Sequence, residues 1–301
     1  ADMRAAVTSP LLSAVGSAGG RLIGANHMAE FAMSPTGHNH WLGDGVNPLN
    51  EEYLSGGSSS GSAIAVARGT CDVSFGTDTG GSVRLPAAFC GLFGYKPTNG
   101  LFSATGLVPP SEMLDTIGLI ARDHAHLLAT ATVLFDDESV VTPAHRDRIR
   151  RQHGESGHTL AHLSIDAVAH TSDEPVARAY ERALRALGRD SVPGIEIDWS
   201  ELERRSVTVV SVDAARNVGR VLNWNWDLVG DQVLSRAIRG TTVPAIAYAD
   251  AVNDTSSALR SFLDEAFAGS RFLLMPTAPI LAPRPWEGRA AVPPAEGGWT
   301  D

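Results

Sequence analysis

Apolar residues fall in short clusters over the first 135 positions, never in long runs. The spacing predicts helical pieces over Leu11 to Val15 and His27 to Met33, and a helix over Ala63 to Ala67 directly after a stretch of Gly and Ser. Val73 to Phe75 and Leu92 to Tyr95 predict short buried strands. After Leu114-Asp115-Thr116 a longer apolar helix is expected, from about Arg122 to Leu134.

The character changes over 136–270. A basic, His-containing loop around His145 to His162 leads to a strand candidate at Leu163 to Val168. Glu174 to Leu187 reads as an amphipathic helix, with Val176, Tyr180, Ala183, Leu184 and Leu187 on its apolar face. Ile195 to Trp199 reads as a strand, and two long helices are expected near Ala214 to Ile238 and Ala245 to Ala268. From 271 to 301 strand character returns at Phe272 to Met275 and gives way to Pro-rich loops. No internal repeat is present. Strands alternating with helices predict an α/β layered domain.

Composition narrows the class. A hydrophobic fraction of 43% over 301 residues is enough for a substantial core. The net charge of -10 argues against a nucleic-acid partner, which would need clustered Lys and Arg. No apolar run approaches the ~20 residues that span a bilayer, and Ala1-Asp2-Met3-Arg4 does not begin like a signal peptide. Cys71 and Cys90 are too few for a disulfide framework and fit buried free thiols in a cytoplasmic protein. Lys96 is the single lysine.

Two loops carry the candidate chemistry. Ser55-Gly56-Gly57-Ser58-Ser59-Ser60-Gly61-Ser62 has the composition of a flexible linker. It runs straight into a helix, however, and a second loop, Gly76-Thr77-Asp78-Thr79-Gly80-Gly81-Ser82, follows the next strand. A nucleophilic serine needs a proton acceptor and N–H donors for the tetrahedral oxyanion. Glycines at 80 and 81 permit turns that aim successive amides inward, so Thr79, Gly80, Gly81 and Ser82 are the candidate donors. A phosphate cradle is disfavoured, because neither a P-loop nor a dinucleotide signature is present.

In these loops, and in Gly24 to Met33, Gly94-Tyr95-Lys96-Pro97-Thr98-Asn99-Gly100, Leu114-Asp115-Thr116-Ile117-Gly118 and Leu274-Met275-Pro276-Thr277-Ala278-Pro279, the chain resembles the amidase signature family. The resemblance implies an α/β fold with a mixed sheet covered by helices. It implies hydrolysis of a carboxamide by a Ser–Ser–Lys triad. Ser82 matches the nucleophile, and Ser58 matches the bridging serine that follows a cis peptide bond. The triad lysine of the family would lie upstream of residue 1, since Lys96 occupies a structural position. On this reading the chain is a partial amidase domain, cut at both ends, spanning a signature core (1–135), a mostly helical region (136–270) and a return strand with a Pro-rich tail (271–301).

The alternatives are the A subunit of a glutamine-dependent tRNA amidotransferase and a non-catalytic pseudo-amidase. No metal or organic cofactor is implied. The expected partner is a small-molecule amide, with a homodimer left open and neither nucleic acid nor membrane expected.

Other residues carry two readings each. Ser34 and Thr36 either face substrate or end a helical turn. His38 and His40 lack a third metal ligand and suit a loop at the active-site mouth, with no evident carboxylate to orient them. His158 and His162 suit a solvated face. Asp78 and Arg84 are expected to hold the nucleophile loop. Trp224 and Trp226, two apart on an expected helix, point to different faces.

Overall fold

A computed structural model describes residues 8–107, 111–152, 160–267 and 270–285. The N-terminal half is organised by a three-stranded antiparallel sheet of β1 (Val73–Asp78), β2 (Phe93–Tyr95) and β3 (Thr116–Ala121), in the order β1-β3-β2. Gly76 pairs with Gly118 and Asp78 with Thr116, while Tyr95 pairs with Leu119 on the other side. β3 is central and all six of its residues are buried. That burial explains why its apolar run carries no alternation to read as a strand.

The two faces of β3 feed separate cores. Ile117 and Leu119 pack with Leu11, Leu101, Phe102, Leu134, Val140 and Val141. These bring in helix α1 (Pro10–Ser17) and helix α4 (His124–Asp136), whose first turn is capped by Asp123 accepting from the His126 amide. Ile120 packs on the opposite face with Ala63 and Val66 of α2 (Ser60–Ala67) and with Val83 and Ala87 around α3 (Arg84–Phe89). Fully burying a side chain such as Leu119 or Ile120 contributes about 1.5–3 kcal/mol. This second core lies directly under both Gly-rich loops.

The second half is mostly helical. α5 (Pro143–Gln152) replaces part of the expected His-containing loop. β4 (Leu160–His162) pairs in parallel with β5 (Phe272–Leu274). The strand expected over Leu163 to Val168 is cut short because Ser164 caps α6 (Ile165–Thr171) through the Ala167 amide. α7 (Glu174–Ala186) buries Ala177, Tyr180 and Leu184, whereas Ala183 and Leu187 are exposed, so its apolar stripe is rotated from the expected one. The Tyr180 hydroxyl donates to the carbonyls of Leu163 and Leu274, clasping the strand ends. Ile195 to Trp199 forms only a single parallel bridge, Leu163 to Ile195.

The helix expected over Ala214 to Ile238 is two helices, α8 (Ser200–Val221) and α9 (Asp231–Thr242). Asn223 and Trp224 take positive φ between them and end α8. Trp226 packs against the core of Met33, Ala214, Val218, Val229 and Val233, while Trp224 lies on Gly219 with its ring half exposed. α10 (Ala245–Phe267) packs against α8 and ends where the expected helix does to within a residue. Among the described residues, no helix is long and apolar enough to cross a membrane.

Candidate active site

Every residue from Ser55 to Ser62 is buried, which overturns the flexible-linker reading. The serine hydroxyls can be accounted for one by one. Ser55 Oγ donates to the Gly56 carbonyl at 3.1 Å, Ser59 Oγ to Thr77 O at 3.3 Å and Ser62 Oγ to Phe75 O at 2.7 Å. Ser60 Oγ meets His27 Nδ1 at 3.1 Å, and the other ring nitrogen of His27 reaches Gly43 O at 3.0 Å. Among the described residues, Ser58 Oγ alone in this set is fully buried with no partner. Leaving a buried hydroxyl unpaired costs about 1–3 kcal/mol, so such a group invites a functional explanation.

The Gly57–Ser58 peptide bond is cis. The loop is pinned on all sides: Gly57 N donates to Pro35 O at 2.7 Å, Ala29 N to Ser58 O at 2.9 Å, and Ser59 N to Ser82 O at 3.1 Å. Glycine is required at 57 because a Cβ there would sit 2.6 Å from Ser34 O and 2.7 Å from Gly37 N. The segment His27 to Met33, expected to be helical, is extended and reduced to a short 3-10 turn over Glu30–Ala32. It is held by these loop contacts and by the buried Glu30 carboxylate, which accepts from Trp41 Nε1 and from the Gly230 amide.

The second loop is built around Asp78, which is 0% exposed. Its carboxylate accepts from Gly81 N at 2.7 Å, Val83 N at 3.2 Å and Arg84 N at 3.3 Å, and from Arg84 Nε and Nη2 at 2.9 and 2.8 Å. Burial alone would raise its pKa. The Arg84 hydrogen bonds and charge, with the Gly81 and Val83 amides, outweigh burial and hold the carboxyl below its usual range. Gly81 takes φ 122°, a conformation that needs glycine. The Gly81 N–H, expected to face an oxyanion, is thereby directed at Asp78 and anchors the loop. The amides of Thr79, Gly80 and Ser82 make no hydrogen bond among the described residues. Ser82 itself is half-buried, one residue before the cap of α3.

Two residues without an expected role join the site. Asp115, just ahead of β3, accepts from the Thr79 hydroxyl and from Ser111 N. Burial, with the charges of Asp213 and Asp78 adding to it against the hydrogen bonds of Thr79 and Ser111, pushes its pKa up to about 6. Its signal in the sequence was the Leu114-Asp115-Thr116 motif, which carried resemblance but no role. Arg236 on α9 donates to the Met33 carbonyl, and burial pushes its pKa down to about 10, with the neighbouring Arg239 adding to the effect.

Lys96 Nζ donates to Pro97 O at 2.8 Å and lies 3.5 Å from Thr116 Oγ1. Burial lowers its pKa, opposed by the charge of Asp78. The Ser34 and Thr36 hydroxyls bond to each other at 2.9 Å, and Ser34 Oγ also accepts from His38 N at 3.3 Å. Both hydroxyls are thus engaged within their own turn. His38 does have an orienting carboxylate, contrary to expectation: its Nδ1 lies 2.6 Å from Asp44. His40 packs edge-on to Trp41. His162 is buried, with Nδ1 at 2.9 Å from Leu163 O, not on a solvated face, and His158 lies outside the described residues. Among the described residues, no group of three or more His, Cys, Asp or Glu could hold a metal. Both cysteines are free; Cys90 is buried, which pushes its thiol up to about 12, whereas Cys71 is only half-buried.

A buried Gly/Ser loop joined through Ser59 to a second Gly-rich loop ending in Ser82, both seated on a small sheet covered by helices, defines a serine-bearing α/β protein. The Amidase family profile matches residues 2–295, and the chain belongs to this amidase signature family. Amidase 1 of Oryza sativa subsp. japonica is 34% identical over 311 residues, covering 96% of this chain and 70% of the relative. The A subunit of the glutamyl-tRNA(Gln) amidotransferase of Halobacterium salinarum is 31% identical over 304 residues, covering 89% and 70%. An amidase crystal structure superposes with a TM-score of 0.80 at 29% identity, covering 92% of this chain and 61% of that one.

Proposed function

We propose that this chain carries the serine machinery of an amide hydrolase. The observation that carries the reading is Ser58: its hydroxyl is buried and, among the described residues, unpartnered, and the next amide of the chain donates to the Ser82 carbonyl. On this reading Ser82 Oγ attacks the carboxamide carbon and its proton passes through Ser58, whose hydroxyl is not bonded to Ser82 here and must turn onto it, to a lysine supplied from outside these 301 residues. Burial would keep that lysine neutral and able to accept it. The tetrahedral oxyanion is held by the Thr79, Gly80 and Ser82 amides. The C–N bond then breaks, the amine leaves with the relayed proton, and water releases the acid from the Ser82 ester.

Membership of the amidase signature family and the identities above support hydrolysis of a linear amide. The comparable identity to the A chain of an amidotransferase favours one second reading, release of ammonia from glutamine for a partner protein. The free thiols fit a reducing compartment and a cytoplasmic location.

The test is labelling by a fluorophosphonate followed by peptide mapping in the complete enzyme, with its lysine-bearing segment present. The adduct is expected on Ser82 and lost in Ser82→Ala; an adduct elsewhere, or none, defeats the assignment. Glutaminase activity with a copurifying partner would select the second reading, and a protein that takes no label and turns over no amide would be a pseudo-amidase.

A further inference from the structure

We propose that Asp115 is a positioning residue that sets the Thr79 end of the nucleophile loop, and that Ser111 and Asp213 extend its grip to Tyr248 on α10. The inference rests on reading the Thr79, Gly80 and Ser82 amides as oxyanion donors.

The loop is held from both flanks. On the Ser82 side, Asp78 grips the Gly81 amide and Arg84. On the entering side, nothing in the Asp78 contacts fixes Thr79; that is done by its hydroxyl, which donates to Asp115 Oδ1. Thr79 is β-branched, so fixing Oγ1 fixes χ1 and with it the orientation available to its peptide group. Asp115 is itself placed by β3, whose first residue, Thr116, pairs with Asp78 at the end of β1. The two acids therefore bracket one turn.

Beyond Asp115 the hydrogen bonds continue in one direction. Asp115 Oδ2 accepts from Ser111 N at 3.2 Å, Ser111 Oγ donates to Asp213 Oδ2 at 2.6 Å, and Tyr248 OH donates to Asp213 Oδ1 at 2.8 Å. Each hydroxyl has one proton and each carboxylate oxygen has one donor, so the network has a single arrangement when both acids are ionised. Asp115, Ser111 and Asp213 are all buried, and among the described residues neither acid forms an ion pair. Two buried carboxylates without a cation cost stability relative to apolar side chains. What the network supplies is a fixed geometry, linking the loop to α8 and α10.

Anilide turnover by the complete enzyme tests this. Thr79→Val and Asp115→Asn are each expected to lower kcat by ~10- to 100-fold with KM within about 2-fold, the size of effect that misplaced donors produce. The double variant is expected to be no slower than the slower single, and Thr79→Ser, which keeps the hydroxyl, to stay near wild type. Tyr248→Phe is expected to lower kcat by a smaller factor. Effects that multiply in the double variant, or Thr79→Ser as damaged as Thr79→Val, would overturn the positioning role. Wild-type kcat in Tyr248→Phe would overturn the link to α10. Where Asp115→Asn does not fold, the Thr79 pair decides alone. Ser82→Ala is measured alongside: if it retains turnover, the underlying reading of the loop fails. If it is inactive while Thr79→Val and Asp115→Asn keep wild-type kcat, only this proposal fails.

Discussion

The amide of Ser59 donates to the carbonyl of Ser82 at 3.1 Å. This bond ties the two Gly-rich loops together at the point where their functional serines are expected. It also separates two kinds of serine. Ser59, Ser60 and Ser62 spend their hydroxyls on the fold, and Ser58 does not.

That separation predicts different outcomes for alanine at each position. Ser59→Ala and Ser62→Ala are expected to cost about 1 kcal/mol of stability each, the net worth of one neutral hydrogen bond, with modest loss of turnover. Ser58→Ala is expected to leave stability equal or higher, since it removes a buried unpaired hydroxyl. It should nonetheless lower kcat by ~10²-fold or more, as loss of a proton-transfer group does. Urea unfolding and anilide turnover on the same preparations check this; a stable, fully active Ser58→Ala enzyme would remove Ser58 from the mechanism.

Gly57→Ala is expected to be destabilising by ~1–3 kcal/mol or more, because the new methyl meets backbone atoms that cannot turn aside. Those atoms are Ser34 O and Gly37 N. Gly16→Ala in α1 is the control: among the described residues nothing lies within 4 Å of a Cβ there. It should be neutral or stabilise by about 0.4–1 kcal/mol through the unfolded chain. Equal midpoints for the two variants in urea would contradict the packing.

How much of this was legible beforehand depended on distance along the chain. The paired Gly/Ser loops were legible because their chemistry is local: glycines where backbones approach, serines where hydroxyls are needed. β3 was not, because a strand buried on both faces has no polar alternation. The α8–α9 break did have a local signal, which the apolar spacing overrode: Asn223 takes the left-handed position after α8, and the Asn223 and Trp224 amides close on the Arg220 and Gly219 carbonyls. The Asp115 network was hidden for a different reason. Ser111 and Asp213 are 102 residues apart, and no spacing rule joins them.

Asp115 and Asp78 should leave opposite signatures in the dependence of stability on pH. The Asp115 carboxyl is raised to about 6 by burial, so the folded state holds its proton more tightly than the unfolded state does. Its contribution is most favourable below the unfolded value of 3.8 and is lost as pH rises through 6, by at most ~3 kcal/mol. Asp213 and Asp78 are the acids facing it, and both oppose its ionisation. Asp78 is lowered, so its contribution is present above 3.8 and is lost as pH falls through the depressed value. Unfolding free energies between pH 4 and 7 should show Asp115→Asn gaining on wild type as pH rises. In Asp78→Asn the loss relative to wild type should shrink only in acid. The same slope in both variants would show that the opposed shifts are wrong.

Lys96 provides the sharpest test of where the base comes from. A serine hydroxyl is a poor nucleophile near neutral pH until a base takes its proton. Ser58 can pass that proton on but cannot keep it. The single lysine of the chain, just past β2, points its Nζ at Pro97 O, beside Thr116, and feels the charge of Asp78 and Arg84. His38 has a carboxylate partner in Asp44 and its backbone amide donates to Ser34 Oγ, so it is tested beside Lys96. The 301 residues alone are therefore expected to turn over a reactive anilide only at the weak residual rate that oxyanion donors support without a complete triad. Purified chain is compared with Ser82→Ala, Lys96→Ala and His38→Ala. Substantial turnover lost in both Ser82→Ala and Lys96→Ala would make Lys96 the base, and substantial turnover lost in Ser82→Ala and His38→Ala would give that role to the His38–Asp44 pair. A residual rate unchanged by either Lys96→Ala or His38→Ala is the outcome expected if the base is supplied from elsewhere.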